Sequence, residues 1–191
     1  MKSGESPSNS FTPEPTVRRA GAADAAVLHE VAATTFPLAC PPDSKSEDIE
    51  AFIAAHLTAD AFARYLADPA RTLLIAEFAG EPAGYAMLIA EEPHDPDVMA
   101  AVIRRPTVEL SKFYVMPGQH GRGVAQVLMT ATVGEAAHSG AASLWLGVNN
   151  QNERANRFYE KSGFVTVGTK RFRLGERWES DFVRELVLAD S

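Results

Sequence analysis

From residue 16 onward the chain switches between two spacings of apolar residues. A period near 3.6 predicts helix, and short alternating or wholly apolar runs predict strand. "TVRRA" (16–20) is a short strand. "AADAAVLHEVAATTF" places Val27, Leu28, Val31 and Ala32 on one helical face, with Asp24 positioned as its cap. "CPPD" breaks that period. Residues 44–67 carry a second helical period through Ile49, Phe52, Ile53, Phe62 and Leu66, and Thr58 with Asp60 marks where it can divide in two. "RTLLIAEFAG" and "PAGYAMLIAEE" are two strands joined as a hairpin through "AGEP". "PHDPDVMAAVIRRP" reads as a loop able to cover a site. "TVELSKFYV" is the next strand, with Glu109, Ser111, Phe113 and Val115 on one face. A helix from about 122 to 138 follows a glycine-rich stretch, and "SLWLGV" (143–148) is a short strand of the buried kind. "NNQNERANRFYEKSGF" has a helix start at Asn152 and a stop at Gly163. "FVTVGTKRF" and "SDFVRELVL" close the chain as strands. The order β-α-α-β-β-β-α-β-α-β-β is an α/β layout with mixed strand directions.

Composition narrows the class. With 191 residues the chain fits one domain and a tail: residues 1–15, rich in Ser, Pro, Gly and Glu, are expected to stay disordered, and 16–191 form a single domain. Hydrophobic residues at 46% and charged ones at 23% belong to a soluble globular protein. The single cysteine, Cys40, excludes an intramolecular disulfide and a multi-cysteine metal site, and suits a reducing, cytoplasmic setting. No apolar run approaches the roughly 18 residues of a membrane span. The N-terminus lacks the apolar core of a secretory signal. A net charge of −7 speaks against nucleic acid and for cationic partners. No metal is expected, since His29, His56 and His138 fall in helices without ligand spacing.

"VMPGQHGRGVAQVL" (115–128) concentrates three glycines directly before a helix. Glycine loses the most entropy on ordering, so the stretch needs a reason. A strand, a glycine-rich turn and a helix N-terminus bring unpaired amides and a positive dipole end together, which suits an anion such as a phosphate. The order is neither a Walker P-loop nor GxGxxG. Alone, such a stretch is more often a simple turn than a phosphate site.

The downstream sequence adds a second motif. "HGRGVA" (120–125), followed about 30 residues later by "NNQNERANRFYEKSGF" (149–164), resembles the GCN5-related N-acetyltransferase (GNAT) superfamily. Gly123 and Ala125 match its Arg/Gln-x-x-Gly-x-Gly/Ala signature. Asn152, Ala155, Phe158, Tyr159, Gly163 and Phe164 match the later segment. His120 departs, standing where Arg or Gln is usual. The C-terminal half, with Leu-Gly-Val, a Gly-x-x-x-Phe-x-x-Gly run (168–175) and Asp181, is similar to the bacterial polyamine (spermidine/spermine) acetyltransferase subgroup of PaiA.

The resemblance implies a mixed, mostly antiparallel twisted sheet flanked by helices, with two central strands splayed apart. It implies acetyl-CoA as cosubstrate. The diphosphate would lie on the amides of His120, Gly121, Arg122, Gly123, Val124 and Ala125, and the pantetheine arm along Phe113, Tyr114 and Val115. Asn152 and Tyr159, seven residues apart and so on one helix face, would follow the coenzyme, with Tyr159 protonating the departing thiolate. Glu109 is the candidate base that removes a proton from the amine, a group otherwise protonated at pH 7; an exposed strand carboxylate is the alternative reading. Asp43, Glu47 and Asp48, and also Glu91, Glu92 and His94, are either acceptor-facing or solvated. Trp178, in the "GERWES" turn, is a candidate for the acceptor mouth, whereas Phe158 and Trp145 read as packed aromatics. The expected function is transfer of an acetyl group to a small polyamine such as spermidine or spermine. Acceptors of another kind (a protein N-terminus, lysine, amino acid or antibiotic) or a non-catalytic acyl-CoA sensor are the alternatives. Neither nucleic acid nor membrane is an expected partner, and a homodimer is left open.

Overall fold

The computed structural model describes residues 13–119 and 121–188; the expectations placed on residues 1–12 and on His120 lie outside them. Strand β1 (Thr16–Arg19) leads through a single 3-10 turn into α1 (Ala25–Ala39), α2 (Ser46–His56) and α3 (Ala59–Ala67). Then come β2 (Arg71–Phe78), β3 (Glu81–Ile89), α4 (Pro96–Ala101), β4 (Thr107–Val115) and α5 (Val124–His138). The chain closes with β5 (Ser143–Asn149), α6 (Glu153–Lys161), β6 (Val165–Leu174) and β7 (Arg177–Val187). All seven strands form one sheet in the order β1-β2-β3-β4-β5-β7-β6. Every pairing is antiparallel except β4 with β5.

Alternation along the strands distributes two cores to the two faces. Leu74, Ala76, Ala86 and Leu88 pack with Val124, Leu128 and Met129 of α5 and with Tyr159 of α6. Their neighbours Leu73, Ile75, Tyr85 and Met87 face the other way, onto Leu28, Val31 and Phe36 of α1 and Phe62 of α3. A fully buried Phe62 contributes about 1.5–3 kcal/mol relative to an exposed one. The long period over 44–67 does divide, because the Thr58 side chain accepts from Ala61 N at 3.1 Å and caps α3, a bond worth about 1 kcal/mol.

Three expectations need correction. Asp24 occupies the cap position of α1 without a capping bond from its side chain; its carboxylate takes Gly21 N–H at 2.7 Å and pairs with Arg18 at 2.9 Å. The segment after the hairpin is not an open loop. It contains α4, whose Val98 and Val102 pack with Trp145 and Val183. The close approach of Ala101 to Gly168, where an added Cβ would lie 2.7 Å away, fixes α4 on β6. Finally, β4 does not alternate evenly. Its register with β3 runs from Leu88↔Leu110 to Met87↔Lys112, so Ser111 is an extra residue in a bulge. Phe113 and Val115 therefore share the face of Val108 and Leu110. Tyr114 belongs to the core on the opposite face. Glu109 and Phe113 thus lie on opposite faces of the sheet.

Candidate active site

Parallel pairing between β4 and β5 stops almost as soon as it starts. Only Thr107↔Ser143, Val108↔Leu144 and Glu109↔Trp145 are matched. Beyond them β4 stays with β3 as far as Val115, and β5 stays with β7 as far as Asn149. The strands separate like the arms of a V, so main-chain groups on the inner edge of each arm have no partner across the gap. A cavity of about 290 Å³ fills this gap, and α6 closes one side of it with Asn152, Ala155 and Tyr159.

Two devices hold α6 in place. The Asn152 side chain accepts from Ala155 N at 3.1 Å and caps the helix. Asn156, buried one turn on, donates from Nδ2 to the carbonyls of Asn149 (3.0 Å) and Asn152 (2.9 Å). Its Oδ1 accepts from Arg184 Nε at 3.0 Å, and Arg184 Nη2 reaches Glu160 at 2.8 Å. The helix is thereby tied to the diverging end of β5 and to β7. Tyr159 packs edge-on to Phe113 and Phe164, with centroids 6.2 and 5.7 Å away. Burial pushes its phenol well above the ordinary range, so the hydroxyl keeps its proton at any physiological pH. Phe158 stacks on Phe113 at 5.5 Å as a packed aromatic.

The cavity is charged on its sheet side. Glu109, Lys112, Lys170, Glu179 and Asp181 all line it. Burial raises Glu109 above the ordinary carboxylate range, with Lys170, Lys112 and Arg71 opposing. Asp181 is also raised by burial, against the pull of Lys170, whose Nζ lies 4.0 Å from its carboxylate. Burial pushes Lys112 down to about 8. Cys40, on the same wall, is pushed up to about 11 by burial, so its thiol stays protonated.

Of the residues singled out by sequence, Glu109, Phe113, Tyr114, Asn152 and Tyr159 meet on this one cavity. Val115 packs into the α5 core instead. The glycine turn lies at the N-terminus of α5, which begins at Val124, two residues later than expected. Gly121 and Gly123 have φ of 75° and 78°, the left-handed region that side-chain-bearing residues avoid. A Cβ on Gly121 would meet nothing within 4 Å, so its face of the turn is open. Val124 itself is core, Ala125 is half-buried, and the Arg122 guanidinium sits 4.9 Å from the centroid of Phe78. The described turn residues do not line the cavity.

Other candidates fall elsewhere. Trp178 belongs to β7, is 57% exposed and does not line the cavity, with Arg171 and Arg173 over its ring. Asp43 pairs with Arg177 at 2.8 Å, and Glu92 pairs with Arg105. Trp145 is core, as expected. Sequence reasoning gave no role to Lys112, Lys170 or Glu179. The available signal was the period-two placement of Glu179, Asp181 and Glu185 in "ESDFVRE", charges at positions that a strand would bury.

Known proteins resemble the chain at both levels. Residues 31–164 match the model of the acetyltransferase (GNAT) family. An uncharacterised N-acetyltransferase of Mycobacterium tuberculosis is 49% identical over 166 residues, 86% of this chain and 99% of that protein. The PaiA N-acetyltransferase of Thermoplasma acidophilum, solved with coenzyme A, superposes with a TM-score of 0.72 over 91% of this chain and 99% of that one. A ribosomal-protein alanine N-acetyltransferase of Escherichia coli gives 0.66 over 92% and 94%. Both solved structures are 18% identical and bear on the fold alone.

Proposed function

The chain belongs to the GNAT acetyltransferase family and is an acetyl-CoA-dependent N-acetyltransferase; on that premise we propose that its acceptor is a small polyamine such as spermidine or spermine. The observation that carries this reading is the V between β4 and β5, which sets buried Tyr159 and three carboxylates on one cavity.

The residues fit the coenzyme. The left-handed glycine turn, with open space beside Gly121, followed by the first-turn amides of α5, suits a diphosphate. The unpaired edge of β4 through Phe113 and Tyr114 suits an extended amide-bearing arm. Acetyl-CoA supplies the acyl group already activated as a thioester. Amides fixed on the edge of β4 would polarise its carbonyl, and such donors contribute about 2.7–4 kcal/mol each. Holding both reactants in one cavity contributes about 7–11 kcal/mol.

Glu109 is the proposed base. Desolvation brings its proton affinity closer to neutrality, so it accepts a proton from the incoming ammonium more readily than an ordinary carboxylate. Tyr159 is the proposed acid, because its phenol stays protonated until a thiolate forms beside it. Glu179 and Asp181 would hold a distal ammonium of the acceptor. The unpaired Cys40 supports a reducing, cytoplasmic setting. No helix among the described residues is long and apolar enough to cross a membrane.

The test is release of coenzyme A thiol with a panel of amines, with mass detection of the product. Acetylated spermidine or spermine supports the reading. Turnover confined to amino acids or peptide N-termini would replace the acceptor. Binding of acetyl-CoA without turnover on any amine would leave an acyl-CoA sensor.

A further inference from the structure

The cavity contains a primary amine of its own. Lys112 lies one residue past the bulge at Ser111, on the strand face that carries Glu109. It makes no hydrogen bond and no ion pair within 4 Å among the described residues. Its Nζ is 5.9 Å from the centroid of Tyr65 in α3. The charges facing it are Glu109 on its own strand and Arg71 on β2, and neither is close enough to pair with it. Lys170, the other cavity lysine, has a carboxylate 4.0 Å away in Asp181. Lys112 therefore combines three properties: a half-buried position, an amine with no partner within pairing distance among the described residues, and a place on the wall of the acetyl-transfer cavity. A desolvated ammonium without a partner sheds its proton, and a neutral lysine amine is a nucleophile. Burial pushes this one down to about 8.

We propose that Lys112 is an internal acetyl acceptor, so that the enzyme holding acetyl-CoA with no amine substrate acetylates its own Lys112 Nζ. The inference rests on the acetyl-transfer reading of the cavity. The neutral nitrogen adds to the thioester carbonyl carbon, forming an N–C bond as the C–S bond breaks. The nitrogen loses one proton to Glu109 or water, and the departing thiolate takes up one proton from Tyr159. The products are Nε-acetyl-lysine and the coenzyme A thiol, with no change of oxidation state. The modification also removes a cation from a cavity that must admit one.

The full chain is incubated with acetyl-CoA in the absence of amines, and acetylation is followed by intact mass and peptide mapping. A parallel incubation with acetyl phosphate reports purely chemical modification. The expected result is one acetyl group per chain, on Lys112, formed with acetyl-CoA alone. It is suppressed by excess spermidine and lost in Lys112→Arg. Acetylation absent from Lys112, or spread over Lys45 and Lys161 to the same extent, overturns the inference. Spermidine turnover by the same wild-type preparation separates the two levels. With turnover present and Lys112 unmodified, self-acetylation alone fails; with neither coenzyme binding nor turnover, the reading beneath it fails as well. Mapping on wild-type protein decides the matter even if Lys112→Arg does not fold.

Discussion

Lys112 carries a cost that a single substitution exposes. In the unfolded chain its amine titrates at the ordinary value of 10.5, and in the fold burial holds it to about 8. A difference of this size, at about 1.4 kcal/mol per unit, amounts to about 3 kcal/mol. The sign follows from proton counts. Below pH 8 both states are charged and the folded state bears the full penalty. Between pH 8 and 10.5 the unfolded state binds more protons, so stability rises with pH and the penalty shrinks. Lys112→Met keeps an unbranched chain of similar length and removes the amine. Some of the gain is offset, because Lys112 helps keep Glu109 ionised. The variant is expected to be about 2–3 kcal/mol more stable than wild type at pH 7, or about 4–12 °C in Tm. At pH 9.5 the advantage falls to less than half. Urea unfolding without acetyl-CoA, followed by the fluorescence of buried Trp145, measures both values. A variant less stable than wild type at pH 7, or an advantage equal at both pH values, refutes the reasoning.

Four further outcomes follow from the site. Tyr159→Phe lowers kcat with little change in KM for acetyl-CoA; a rise in that KM alone makes Tyr159 a binding residue. Gly123→Val, at φ 78° in the turn, abolishes coenzyme A binding by calorimetry while circular dichroism stays native; normal binding moves the phosphates elsewhere. Glu109 works ionised and burial raises its proton affinity, so the acid limb of kcat/KM lies above the ordinary carboxylate range; Glu109→Gln flattens that limb and lowers kcat by about a hundredfold or more. Trp178→Ala, exposed and not lining the cavity, changes kcat/KM for spermidine by less than about twofold.

What could be read from the chain beforehand was whatever depends on local pattern. The helical period over 44–67, its division at Thr58 and the Asn152–Gly163 helix are properties of a few consecutive residues, and each stands in the fold. The α4 helix was missed because six residues between prolines, Pro96–Ala101, offer too short a period to register; its place is set by Gly168 in a distant strand. The bulge at Ser111 is invisible to alternation, since it depends on how β4 registers against β3. With it went the expectation that Glu109 and Phe113 share a face. Lys112, Lys170 and Glu179 each look like ordinary surface charges in sequence. Only the separation of β4 from β5 brings them together on one cavity.

A crystal structure with acetyl-CoA bound tests the central claim most directly. The account predicts density for the diphosphate against the amides of residues 121–125, and for the pantetheine arm between Phe113–Tyr114 and Gly147–Asn149 with its sulfur beside Tyr159. A coenzyme bound on another face, with the gap between β4 and β5 left empty, would contradict it.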